Sequence, residues 1–287
     1  MTKDSDTLLG GSDFNYRLYT GVKYLVYVLL TFNVFLFLQE ELGALEHTFV
    51  DGFEPSQIIQ VFSATIDTTA WVLLLLLFEL ETSVLDDNRI QGWVKRGLHW
   101  VRLLCYAAVY YAFTGYYAEL TMLYDASPLV GFDPCASLDQ GLSMQVDIDE
   151  YVPLDAASCA VSGNQWFQLN GFQIVSESEV LAAARALAWT DVINSAAWLL
   201  VVIMLEVEVR LQLRGNLSDQ IMAFTKWIKF ALYGTLFGAA GYWGVAGDFL
   251  DFWDAALWLF AFIFIELNVF EWQHETSHTE NATAQEA

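Results

Sequence analysis

One recurring stretch limits what this chain can become. Asp67–Glu81 reads D-T-T-A-W-V-L-L-L-L-L-F-E-L-E, and its pattern returns without a gap at Asn194–Glu208 and at Asp254–Asn268. The shared form is [DN]-x3-W-x7-E-[LV]-[EN]. Each copy is an apolar helix that carries a carboxylate where ionised groups are expensive. A soluble domain of this length has no use for three such helices. With a mean hydropathy of +0.39, the chain reads as an integral membrane protein.

About 20 apolar residues cross a bilayer as a helix. Six stretches suit that length, at roughly 21–40, 58–82, 100–120, 183–209, 226–245 and 249–271. A second pattern, [VI]-[KR]-x3-Y, opens the odd-numbered stretches at Lys23 and Tyr27, at Arg102 and Tyr106, and at Lys229 and Tyr233. Two patterns alternating along the chain define a helical hairpin used three times, at about 21–82, 100–209 and 226–271. The expectation is an all-α membrane protein of six transmembrane helices, three parallel-repeat hairpins in a pseudo-threefold bundle. A tail at 1–20 precedes residues 21–272, which hold the bundle, and a disordered tail at 273–287 follows.

Basic residues set the sidedness of such a chain. Eleven of its twelve Lys and Arg fall on one side of the expected bundle, and only Arg185 falls on the other. Both termini are therefore expected in the cytoplasm, with the plasma (inner) membrane as host. The segment 121–182 becomes an external loop. It has nine Asp and Glu and no Lys, Arg or His. Its Asp147-Ile148-Asp149-Glu150 run lacks the glycine and spacing of a calcium loop and reads as a solvated acidic turn. Cys135 and Cys159 lie in the same loop, where an oxidising compartment would bridge them.

The candidate site residues form two layers. Glu79, Glu206 and Glu266 sit about one turn inside the cytoplasmic edge, at the depth where Lys23, Arg102 and Lys229 enter. Equal numbers and opposite signs predict an intramembrane charge network, while Glu81 and Glu208, some 200° round the helix, are expected to reach water. Asp67, Asn194, Asp254, Asp251 and Asp191 form a polar layer nearer the outside, with Arg185 as the one cation within range. A net charge of −23 excludes nucleic acid as a partner. No nucleophile elbow, phosphate loop, dinucleotide fingerprint or metal-binding His pair of an enzyme is present, so no catalytic residue, metal or cofactor is assigned. The reading is a small-solute or cation channel or transporter in a lipid bilayer, with acidic groups along the axis. The alternative is a non-transporting scaffold or accessory subunit whose external loop binds a protein partner. Homo-oligomers are compatible with either.

Overall fold

The computed structural model describes residues 13–49, 52–81, 91–160, 165–213 and 219–262. Their helices are α1 (Asp13–Thr48), the short α2 (Ile58–Val61), α3 (Ser63–Glu79), α4 (Trp93–Tyr124), α5 (Ser178–Leu213), α6 (Asp219–Ala246) and α7, described over 249–262. Between α4 and α5 lie five strands, β1 (Ala126–Leu129), β2 (Ser143–Gln145), β3 (Tyr151–Pro153), β4 (Trp166–Leu169) and β5 (Ile174–Glu177).

The expected all-α bundle of six spans in three equivalent hairpins is corrected on two counts. The segment read as an external loop is a five-stranded mixed sheet. Among the described residues two helical stretches, Leu18–Thr48 and Ser178–Glu208, are long and apolar enough to cross a membrane. The other stretches fall short for visible reasons. Seventeen residues give α3 a length of about 25 Å at 1.5 Å per residue, less than the roughly 30 Å of bilayer hydrocarbon. In α4 tyrosines stand where aliphatic residues would be needed, at Tyr106, Tyr110, Tyr111, Tyr116 and Tyr117, beside Glu119. In α6 glycines do so, at Gly234, Gly238, Gly241 and Gly244. Of the expected tails, residues 13–20 belong to α1, and 273–287 lie outside the described residues.

The strand order is β1-β4-β5-β2-β3, with β5 and β2 parallel and the other neighbours antiparallel. Its centre is the β4–β5 hairpin, which turns at Asn170-Gly171 with Gly171 at φ +86°. That dipeptide between two apolar runs is a strong hairpin signal. Side chains alternate along β5. Ile174 joins the core shared with the helices, while Val175 faces the other way and packs with Leu142, Met144, Leu154, Cys159 and Trp166. The sheet thus lies on the helices with one face and carries its own small core on the other. The Cys135–Cys159 disulfide ties that outer layer together.

The helices pack around Leu30, Leu123, Leu181, Val201 and Leu236, all essentially buried. Gly115 of α4 sets one close approach: a Cβ there would overlap the Ile59 carbonyl and the Ser63 side chain. The end of α1 reaches the sheet, where a His47 ring nitrogen lies 2.9 Å from the Ser143 hydroxyl. The sheet therefore covers one end of the bundle, and Lys23, near the start of α1, belongs to the other.

Candidate functional site

At the end away from the sheet the charges are matched. Lys23 Nζ on α1 is 2.8 Å from Glu79 Oε1 on α3, and the residues are only 7% and 5% exposed. The hydroxyls of Tyr24 and Tyr27 donate to the same carboxylate at 3.1 and 3.4 Å. This is a fully supplied buried ion pair, the arrangement in which a charge is tolerated at low dielectric. Arg102 and Lys229 take other partners than the first glutamates of the pattern. Arg102 binds Glu81 at 2.6 Å and Lys229 binds Glu208 at 2.8 Å. Glu206 pairs along its own helix with Arg210 at 3.3 Å, half in solvent, and is also reached by Tyr106. Glu266 lies outside the described residues. Glu81 and Glu208, expected to face water, are thus the links between α3 and α4 and between α5 and α6. The structural reason is azimuth: helices consecutive in the chain lie side by side, and the face they share carries the second glutamate.

Above this layer the tryptophans of the pattern meet. Trp71 is 5.9 Å from Trp198 and 6.2 Å from Trp258 between ring centroids, and Trp198 packs on Phe262 at 4.5 Å. Offset and edgewise contacts of this kind are favourable beyond simple burial.

Between the tryptophans and the sheet lies a cavity of about 110 Å³. It is bordered by eight carboxylates: Glu40 and Glu41 of α1, Asp67 of α3, Glu119 of α4, Asp149 below the sheet, Asp191 of α5, and Asp251 and Asp254 of α7. Among the described residues no Lys, Arg or His borders it. Arg185, the one candidate cation on this side, turns away. Its Nε donates to the Leu123 carbonyl at 3.0 Å, and its guanidinium sits 4.7 Å from the Tyr124 ring, capping the end of α4.

Several of these carboxylates have local donors. Glu41 accepts from the backbone N–H of Ala64 at 2.7 Å and of Thr65 at 3.3 Å, satisfying the open N-terminus of α3. Asp254 accepts from the Asn33 amide at 2.7 Å, and Asp191 from the Trp243 indole at 3.2 Å. Asp67 Oδ2 accepts a long bond of 3.4 Å from Tyr116. Asp67 Oδ1 and Asn194 Oδ1, by contrast, are shut off from solvent and accept no hydrogen bond. Asp67, Asn194, Asp254, Asp251 and Asp191, the polar layer expected from sequence, therefore all border one cavity.

Sequence reading missed the rest of it. The Asp147–Glu150 turn is solvated only in part: Glu150 is exposed, whereas Asp149 borders the cavity, where it and the Glu119 carboxyl hydrogen-bond to one another. Such a bond requires that one of them hold a proton. Burial, with help from the charges of Asp248 and Asp147, pushes Asp149 up to about 6 despite that bond. Burial and the nearby Asp149 and Glu119 also hold the Tyr151 phenol well above its usual range. Tyr151 donates to the Ile148 carbonyl at 3.0 Å, which fixes the inward turn. The hint in sequence was that apolar Ile148 and Tyr151 flank Asp149 and Glu150.

No protein-family model, curated protein or solved structure matches this chain. Carboxylates packed without a counter-charge repel one another.

Proposed function

We propose that this chain is a membrane protein that admits cations or protons to the carboxylate chamber and passes them across the tryptophan layer, as a channel or transporter. The observation that carries this reading is the chamber itself: eight carboxylates around one cavity, with no basic side chain among the described residues that border it. A concave acidic site concentrates cations before any contact is made. A second cavity, of about 580 Å³ between α4 and α5, is bordered by Tyr106 and Glu206 and shares Trp71 with the chamber. Trp71 is then the partition between an outer and an inner compartment.

The membrane part of the proposal is supported by the two long apolar helices, whose outward faces carry Val28, Phe32 and Phe35 on α1 and Leu200 and Ile203 on α5. A multi-pass arrangement follows, with the disulfide-bonded sheet outside. The start of α1 and the descending end of α7 then lie on the cytoplasmic side of the plasma membrane. The test is flux. The full chain, purified and reconstituted into phosphatidylcholine vesicles, should carry protons or monovalent cations faster than protein-free vesicles. Asp67→Asn should lower the rate at least about tenfold, by removing the carboxylate beside the partition. Flux equal to that of empty vesicles for every ion would overturn the proposal. It would leave a non-transporting scaffold, a reading favoured by the exposure of Val130, 99% accessible at the end of β1, as a contact for a protein partner.

A further inference from the structure

The cavity between α4 and α5 is graded along its length. Its volume of about 580 Å³ falls within the roughly 300–1,000 Å³ of small-molecule sites. Toward the tryptophan layer its walls are apolar, with Val109 of α4, Leu199, Val202 and Ile203 of α5, and Trp71 of α3. Toward the end away from the sheet they are basic, with His99 and Arg102 of α4 and Arg210 of α5.

The sequence of α4 explains the gradient. Residues three and four apart share a helix face, so Lys95, His99, Arg102, Tyr106 and Val109 follow one another along one side of it. That side passes from charged to polar to apolar, and Val109 lies about 10 Å further along the axis than Arg102. Leu103 and Ile203, 48% and 54% exposed, form the rim, while Val109, 2% exposed, belongs to the floor. Among the described residues one acid borders the groove, Glu206, and it is already engaged by Arg210 at 3.3 Å and by the Tyr106 hydroxyl. Arg102 gives one N–H to Glu81 at 2.6 Å, and a guanidinium carries five.

An apolar groove with a basic mouth is complementary to an amphiphile with a negative head. One of its walls, α5, is long and apolar enough to cross a membrane, so the amphiphile within reach is a bilayer lipid. Arginine beside further bases suits a phosphate, which accepts several charge-assisted hydrogen bonds at once. We propose that the groove binds an anionic phospholipid, its phosphate at Lys95, His99 and Arg102 and one acyl chain against Val109, Leu199 and Val202. This rests on the membrane part of the reading above and names a lipid partner. A chain lying there fills part of the inner compartment and ends beside Trp71, so the site bears on transport without depending on it.

The probe is dioleoyl phosphatidylglycerol, added to the purified full chain in a non-ionic detergent and followed by native mass spectrometry. One lipid per chain should be retained, at least about fivefold more tightly than dioleoyl phosphatidylcholine. Lys95 is exposed, and Lys95→Gln should weaken retention about fivefold without touching the fold. Val202→Trp puts an indole into the groove and leaves the basic mouth intact. It should abolish retention while the thermal transition stays near that of the parent. Dihexanoyl phosphatidylglycerol should bind at least about tenfold more weakly than the dioleoyl lipid, because its chains are too short to fill the groove. That comparison needs no substitution and stays decisive if Val202→Trp fails to fold. No retained lipid, equal retention of phosphatidylcholine, or undiminished binding by Val202→Trp or by the short-chain lipid would each overturn the proposal. Oleic acid held as tightly as phosphatidylglycerol would overturn it too, by making the occupant a free fatty acid. Vesicle flux separates the lipid site from transport. Cation flux without lipid retention sinks the site alone, and lipid retention without flux sinks transport alone.

Discussion

The two ends of the helical bundle treat the same chemical group in opposite ways. At the end away from the sheet, Glu79 has a cation at 2.8 Å and two tyrosine hydroxyls. Beneath the sheet, Asp67 has one long hydrogen bond and an oxygen that accepts nothing. A buried ion pair contributes little net stability but binds helices in register, and it fails badly when one partner goes. A carboxylate kept without a cation, as Asp67 is, ties no helix to a counter-charge. It is tolerated because protons or ligands can neutralise it, which is the property a cation site needs. The inner layer is a clamp, and the chamber, on the function proposed above, is a receptacle.

The sharpest way to break this contrast is at the clamp. Lys23→Met should cost about 3–5 kcal/mol in thermal or denaturant unfolding, because it strands Glu79 at low dielectric. Replacing both residues with methionine should recover most of that loss. A single mutant as stable as the parent would mean that the pair is solvated and the clamp is fictitious. Next in size is the roof of the chamber. Removing the Cys135–Cys159 bridge by paired serine substitution opens a loop with a sequence separation of 24 and should cost about 3 kcal/mol. Because the bridge lies in the sheet's own small core, the loss should appear as earlier hydrogen exchange in β4 and β5 and leave the Lys23–Glu79 end protected.

The receptacle should respond to pH. Burial pushes Asp149 up to about 6, compared with about 3.9 in an unfolded chain. The folded state then binds more protons than the unfolded state between those values, so stability should climb as pH falls from about 6.5 to 4, by on the order of 2 kcal/mol. Asp149→Asn should lessen that slope, and an unchanged slope would assign it to other groups. Smaller again is Asp67→Asn. If the chamber is a receptacle, neutralising this carboxylate should leave stability within about 1 kcal/mol of the parent, in contrast with Lys23→Met, because no partner is stranded. The smallest effect is expected at Arg210, whose pair with Glu206 is exposed and within one helix. Arg210→Ala should change stability by less than about 0.5 kcal/mol, and a larger loss would extend the clamp to α5.

Sequence alone determined position along the helices. Depth is residue number multiplied by a fixed rise, so Lys23 and Glu79 could be set at one level, and Trp71, Trp198 and Trp258 at another, before any packing was known. The polar layer of Asp67, Asn194, Asp254, Asp251 and Asp191 was legible in the same way, and the two cysteines of one acidic segment were legible as a disulfide. What the tertiary structure decided was rotation about each helix axis and the pairing of distant strands. Glu79 and Glu206 occupy the same place in the pattern, yet one is buried against Lys23 and the other half-exposed beside Arg210, because each helix turns its own face to its neighbours. The chamber needed more still. Glu40, Glu41 and Glu119 join it only through the mutual rotation of α1 and α4, and Asp149 only because a mixed sheet forms where composition suggested a loop. Periodicity records which residues share a side of one element. It holds no term for the free energy gained when several elements turn those sides together, and that free energy is what brings these carboxylates to one cavity.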